Sequence, residues 1–223
     1  MDTATPATVV GVARDDGTLL CERRHDPPPD GRPGHGPMLL ELAAEALEQA
    51  GSGWTDLTRL GVGVGPGTFT GLRIGVATAR ALAQGLGAEC VAVSTLRALA
   101  LAALADDPDG GPVLAVLDAR RGEAFAAGYN AAGAERLAPV AVGPDRLATL
   151  VDPAPGTWRA VGDGAVRFRE ELEAAGVTVP GDGSPLHRVG AAALCRLTAE
   201  GPTIDRDALV PEYVRDPDAT PRR

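Results

Sequence analysis

The run GVGVGPGTFTGLRIG, residues Gly61 to Gly75, decides how this chain folds. Leu60 to Val64 reads as a short buried strand. Gly61 and Gly63 weaken it, so they mark close approach by a neighbouring element. Gly65, Pro66 and Gly67 force a turn: Pro66 holds its φ at about −65°, and Gly67 can take the positive φ that a type II turn requires next. Thr68 or Thr70 caps the helix that follows. That helix, about Gly71 to Gly85, is interrupted only by Arg73, Thr78, Arg80 and Gln84, and is expected to be buried nearly all round. Gly71, Gly75 and Ala79 fall four apart and make a smooth stripe. Glycine inside a helix costs about 1 kcal/mol relative to alanine, so the stripe needs a packing partner. Either this chain's own sheet or a helix of another chain would serve.

Upstream of this run, Thr8 to Ala13 and Thr18 to Arg23 read as a hairpin about the turn Asp15, Asp16, Gly17. The proline- and glycine-rich stretch Asp26 to Pro37 is expected to be a mobile loop, with His25 and His35 at its ends. Met38 to Ala50 is a helix ended by Gly51. Its residues Leu39, Leu40, Leu42, Ala43, Ala44, Ala46, Leu47 and Ala50 cover a wider arc than a one-sided surface helix needs, which points to two contacts. Glu41, Glu45 and Glu48 keep the remaining face wet.

Downstream, Glu89 to Val93 is a strand, and Ser94 or Thr95 caps a helix to about Ala105. Asp106 to Pro112 reads as a linker, dividing the chain into lobes 1–107 and 108–223. The second lobe restarts with strands Val113 to Leu117 and Glu123 to Tyr129 around the turn Asp118 to Gly122. A third strand, Leu137 to Val142, leads to a helix from Pro144 to near Val151. Trp158 to Val161, the loop Gly162 to Gly164 and a helix Ala165 to Ala175 follow. His187 to Glu200 is the last long helix, and Asp216 to Arg223 is expected to be a disordered tail. The two halves repeat a hairpin followed by strand–helix units, which predicts an α/β fold with mixed sheets and flanking helices.

Composition excludes several functions. A net charge of −9 and a pI near 4.8 argue against autonomous nucleic-acid binding. All 21 basic residues are arginines, so no Walker A loop, Schiff base or Ser-Lys pair can form. The three cysteines, Cys21, Cys90 and Cys195, are too scattered for a disulfide framework or a metal motif. No signal pattern opens the chain, and no apolar run approaches the ~20 residues of a membrane helix. A cytoplasmic protein without a membrane segment is the expectation.

Catalytic motifs fail in turn. Every GxGxxG register through Gly61, Gly63, Gly65 and Gly67 ends on Pro66, Thr68 or Thr70. Ser52, Ser94 and Ser184 lie outside any GxSxG. His25, His35 and His187 form no HExxH, and Leu39 stands four residues after His35. Asp118, Arg120 and Arg121 read as a charged surface turn, Asp2 as a turn or cap aspartate, and His35 as a loop or helix-cap residue. The residues alone give a two-lobed α/β protein without a catalytic set or a metal site.

Six motifs carry a resemblance along almost the whole chain: DTAT (Asp2 to Thr5), His35, GPGTFTGLRIG (Gly65 to Gly75), VSTL (Val93 to Leu96), DARRGE (Asp118 to Glu123) and PEYVR (Pro211 to Arg215). In these the sequence resembles the bacterial TsaB (YeaZ) family, the dimerisation subunits of the tRNA threonylcarbamoyladenosine synthesis complex. The resemblance implies a two-lobed actin-like, Hsp70-like ATPase (ASKHA) fold. It implies a non-catalytic subunit with two partners: TsaD, which carries the metal, and the ATPase TsaE. ATP and metal would be used by those partners, with no cofactor bound here. The complex would act on the adenosine beside the anticodon of tRNAs that read codons beginning with A, and this chain would meet tRNA only indirectly.

The resemblance also assigns an interface with TsaD to the first two helices, through Leu39, Leu42, Ala43, Ala46, Gly71, Leu72, Gly75, Val76, Ala79 and Leu82. A homodimer would use the same surface when TsaD is absent. In TsaD two histidines four apart hold the metal, and Leu39 occupies the second of those places here. A competing reading is a nucleotide-binding kinase or ATPase-like enzyme of the same fold, with a weak phosphate site at Asp2, Thr3, Gly65, Gly67 and Thr68 and the loop Gly162 to Gly164. A peptidase, an old label for relatives, lacks a nucleophile and a metal pair. Finally, the family places an apolar strand before the DTAT turn, where Met1 immediately precedes Asp2. Either the start is set downstream of the true one, or the lobe lacks a buried strand of about 5 residues.

Overall fold

The computed structural model describes residues 1–28, 31–151 and 158–215. In the first half β1 (Thr8–Ala13) and β2 (Leu19–His25) form an antiparallel hairpin, and α1 (His35–Gln49) follows. The Gly61–Gly75 run becomes a βαβ unit: β3 (Arg59–Gly65), α2 (Phe69–Leu86) and β4 (Glu89–Ser94), with β3 and β4 parallel. Ser94 caps α3 (Thr95–Asp106), its hydroxyl oxygen accepting the Arg97 N–H. In the second half β5 (Val113–Arg120), β6 (Glu123–Tyr129) and β7 (Glu135–Val142) form an antiparallel meander. After the short α4 (Pro144–Leu147), β8 (Arg159–Val161) adds parallel to β5, giving the order β7-β6-β5-β8. Next come α5 (Asp163–Arg167), α6 (Arg169–Ala174) and α7 (Ala191–Glu200). The predicted α/β class with mixed sheets holds. No helix among the described residues is long and apolar enough to cross a membrane.

Each first-half helix buries its apolar stripe on a strand pair. In α1, Leu39, Leu42 and Leu47 pack with Val10 and Val12. In α2, Val76, Ala79 and Ala83 pack with Leu60, Val62 and Cys90. The apolar α3 buries most of its surface: Leu96, Leu99, Ala100 and Ala103 join Val9, Val91, Leu117, Phe125 and Leu194 in a core that both halves share, and Arg97 and Ala105 remain exposed. The outer face of the second sheet is covered by Ala165, Phe168 and Leu172.

Four expectations are corrected. The turn after β3 has a cis Gly65–Pro66 bond and its positive φ, 129°, at Gly65 rather than at Gly67. Gly67 instead presses on the Ala4 carbonyl, whose oxygen a Cβ there would overlap. The helix expected over 165–175 breaks at Phe168, whose φ of −107° leaves the helical range as its ring enters the core. His187 starts no long helix: its ring is drawn inward to the carbonyls of Gly162 (3.0 Å) and Pro180 (3.1 Å), and α7 begins at Ala191. The helix from Pro144 is a single turn.

The boundary at 107/108 separates the sheets but not the packing, because α7 lies against β1 and β3. The segment after it also returns to the first half. Ile204 N–H donates to Cys90 O, Leu209 is fully buried beside α2, and Glu212 N–H donates to Val64 O. The expected tail 216–223, and Pro29 and Asp30 of the expected loop, lie outside the described residues.

Candidate functional site

Of the ten side chains assigned to a partner surface, nine face inward. Leu39, Leu42, Ala43, Ala46, Gly71, Leu72, Gly75, Val76 and Ala79 are buried in the chain's own cores, and Leu82 is half-buried. The Gly71, Gly75, Ala79 stripe is taken up within the molecule. A Cβ at Gly71 would overlap the Thr3 carbonyl oxygen, and one at Gly75 the Thr3 hydroxyl. The need for close approach was read correctly, but its partner is the Thr3 turn.

The outward surface of the same helices is a different set. Phe69, Arg73, Ala77 and Ala81, also four apart, form an exposed stripe on α2, and Leu40 and Ala44 are exposed on α1. At the start of α2, Phe69 is 54% exposed and Tyr213 45%. Their rings stack at 5.6 Å with 28° between planes. The Arg73 guanidinium lies 3.8 Å over the Phe69 ring, and its Nε donates to the Tyr213 hydroxyl at 3.0 Å. Tyr213 is held in place by the Glu212–Val64 bond on one side and the Arg215–Glu123 ion pair on the other. A pre-ordered aromatic pair with an arginine is the side-chain set that dominates protein interfaces. Sequence reading passed over this cluster, although Phe69 and Tyr213 sit in two of the quoted motifs.

The residues read as a phosphate site come together, but as a structural knot. Asp2 is fully buried; its Oδ1 accepts the Ala4 N–H at 2.9 Å and its Oδ2 the Thr95 hydroxyl at 2.8 Å. The Thr3 hydroxyl donates to Gly71 O at 2.8 Å. Thr68 N–H donates to Ala4 O at 2.8 Å, which locks the start of α2 on the same turn. His35 opens α1, buried, with Nδ1 2.8 Å from the Thr8 hydroxyl. Burial lowers its pKa, keeping the ring neutral.

The second half repeats the device. Gly162 and Gly164 lie against the main chain of Val116 and Leu117. Asp163 Oδ1 accepts the Asp118 N–H at 3.0 Å, and Arg167 clamps the Asp118 carboxylate at 2.8 and 2.9 Å. Burial raises the pKa of Asp163. Among the described residues no group of three His, Cys, Asp or Glu is placed to hold a metal ion.

Burial also raises the pKa of Asp2. The folded chain therefore holds this proton more tightly than the unfolded chain, and the group's contribution to stability falls as pH rises from about 4 through the folded pKa. Asp2→Asn removes that ionisation while its amide can serve Ala4 and Thr95. Denaturant unfolding at pH 4.5 and 7.5 is expected to show the variant gaining on the parent at the higher pH. An equal difference at both would disprove the linkage.

Comparison with known proteins places these features in a lineage. A family model described as TsaD, tRNA N6-adenosine threonylcarbamoyltransferase, matches residues 28–171. The "tRNA threonylcarbamoyladenosine biosynthesis protein TsaB" of Escherichia coli K12 is 30% identical over 228 residues, covering 97% of this chain and 93% of that protein. An uncharacterised protein of Mycobacterium tuberculosis H37Rv is 34% identical over 221 residues, covering 99% and 92%. A crystal structure of a Pseudomonas aeruginosa protein described as similar to the peptidase YEAZ superposes with a TM-score of 0.78 at 28% identity, covering 96% of this chain and 97% of that one.

Proposed function

The chain belongs to the TsaB (YeaZ) family and has its two-lobed actin-like fold, and from that membership we propose a non-catalytic subunit in tRNA threonylcarbamoyladenosine biosynthesis. It pairs with TsaD, presents the assembly to TsaE, and reaches tRNA only through its partners. The observation that carries this reading is the ordered Phe69–Arg73–Tyr213 cluster continuing into the exposed Ala77 and Ala81 of α2. Small residues along a helix beside an aromatic anchor suit close approach by a second helix. The match to a family model described as TsaD supports the choice of partner, since chains of one fold can pair through equivalent faces. The same face would support a homodimer when TsaD is absent.

A nucleotide-handling enzyme centred on Asp2, Thr3 and Gly65 to Thr68 has less support, because both Asp2 carboxylate oxygens and the Thr3 hydroxyl are committed to internal bonds. A peptidase is no better served, since the Ser94 and Ser184 oxygens accept helix-start N–H groups.

Reconstitution tests the proposal. TsaD, TsaE, ATP, the threonylcarbamoyl-adenylate donor and unmodified tRNA are expected to give modified adenosine, read by nucleoside mass spectrometry, only when this chain is present. Product at an unchanged rate without it, or from this chain without TsaD, would overturn the assignment.

A further inference from the structure

The hairpin tip between β5 and β6 is built against the preference of its residues. A two-residue hairpin loop closes on a turn with positive φ at both central positions, which asparagine and glycine supply at little cost. Here the loop is Arg121 and Gly122, at φ 55° and 80°, and Arg120 before it, where the ladder bulges, is also left-handed at 63°. A residue with a Cβ is strained in this region. Among the described residues, Arg120 and Arg121 are the two non-glycine positions with positive φ. Such strain persists where the surroundings impose it, and it gathers at functional positions.

The base of the turn is fixed from below. Asp118 Oδ1 accepts the Arg120 N–H at 2.8 Å, Arg167 donates to both Asp118 oxygens, and the Asp118 N–H donates to Asp163. The surface it presents is positive. Arg120, Arg121 and Arg167 are exposed, and with Arg215 they stand against Asp118, Glu123 and Asp163. Of these carboxylates, Asp118 is largely covered by the two guanidiniums it holds, and burial raises the pKa of Asp163. On a chain of net charge −9 this is a local concentration of positive charge, felt over about 10 Å at 0.1 M salt.

The turn also borders the aromatic cluster. Arg215 pairs with Glu123, the first residue of β6, and stands two residues beyond Tyr213, at most about 7 Å of chain. That is within the span of a standard interface of about 800 Å² on each partner.

We infer, on the pairing proposed above, that the Arg120–Arg121 turn is the charged rim of the partner face and takes carboxylate side chains from an acidic segment of the same protein partner. Guanidinium forks accept carboxylate and phosphate alike. A nucleic acid, however, brings a dense row of phosphates toward a chain of net charge −9. One or two acidic side chains meet the local patch alone. A rim charge of this kind acts mainly on the rate of association and on its salt dependence.

Stopped-flow association with TsaD tests this, using the parent, Arg120→Glu with Arg121→Glu, and Arg120→Gly with Arg121→Gly. At about 0.02 M salt the glutamate pair is expected to associate about 30-fold more slowly than the parent and the glycine pair about 5-fold, both gaps shrinking to under about 3-fold at about 0.5 M. Dissociation rates should change little. The glycine pair should melt no lower than the parent, because glycine relieves the left-handed strain, so its slower association cannot come from misfolding. Parent-like association of both variants, or a loss that salt does not diminish, overturns the arginine rim and leaves the pairing intact. Variants that bind TsaD like the parent but weaken tRNA binding by the assembled complex overturn it in favour of phosphate. A parent that does not bind TsaD overturns the pairing, and the rim with it.

Discussion

Gly71→Ala is expected to destabilise this chain by about 3 kcal/mol or more, although it adds one methyl group and improves helix propensity. The added carbon would overlap the Thr3 carbonyl oxygen and lie 2.6 Å from the Thr68 hydroxyl. A main-chain carbonyl cannot swing aside as a side chain can. Either α2 must lift from the turn at residues 2–5 or that turn must move. The Thr68–Ala4 and Thr3–Gly71 bonds are then broken, as is the Asp2–Thr95 contact through which the turn reaches α3. Overpacking alone costs roughly 1–3 kcal/mol, and the broken buried bonds add to it. For a chain of this size the loss corresponds to a melting temperature lower by about 6–12 °C. Gly85→Ala in the same helix is the control. Nothing lies within 4 Å of a Cβ there, so propensity acts alone and the variant should gain up to about 1 kcal/mol. Thermal melts of the two variants should therefore move in opposite directions. A Gly71→Ala melt within 2 °C of the parent would refute the account of why the glycine stripe exists.

Phe69→Ala combined with Arg73→Glu is expected to weaken binding to TsaD at least about 30-fold, the effect of losing one interface hot spot. Both side chains point to solvent in the isolated chain and contribute little to its core. The variant should therefore melt within a few degrees of the parent. The substitution removes the stacked ring, the cation over it and the bond to Tyr213, and places a negative charge at the centre of the patch. Ala81→Glu, further along the stripe, should weaken binding without touching the aromatic cluster. Unchanged affinity of the double variant by calorimetry would remove this face from consideration. Weaker binding with a collapsed melting temperature would instead mark Phe69 as structural.

Much of the fold was legible because the signals are local. The hairpin at Asp15 to Gly17, the helix stop at Gly51 and the Ser94 cap are each set by a few neighbouring residues, and all appear where expected. The failures arise where a distant group decides. Phe168 breaks its helix to fill a core formed by β5, β6 and β8. His187 turns inward to Gly162 and Pro180. In α2 two stripes recur every four residues, Gly71–Gly75–Ala79 and Phe69–Arg73–Ala77–Ala81, and small side chains populate both. Periodicity cannot say which one faces inward, because alanine and glycine have little preference for either side. The residues expected at a partner surface, Gly71, Gly75 and Ala79 among them, lie on the inward stripe of the chain.

By itself the sequence determined the elements and their order, the need for backbone contact at the glycines, and the loss of lysine-based chemistry. These follow from local sterics, from the 3.6- and 2-residue periods, and from residue types that are simply present or not. Only the tertiary structure decided that the Thr3 turn, not another chain, occupies the glycine stripe. It also brought Tyr213 onto Phe69 and returned α7 to the first half. Each of these is a contact between residues far apart in the chain, settled by how separately formed surfaces fit, which no window of neighbouring residues encodes.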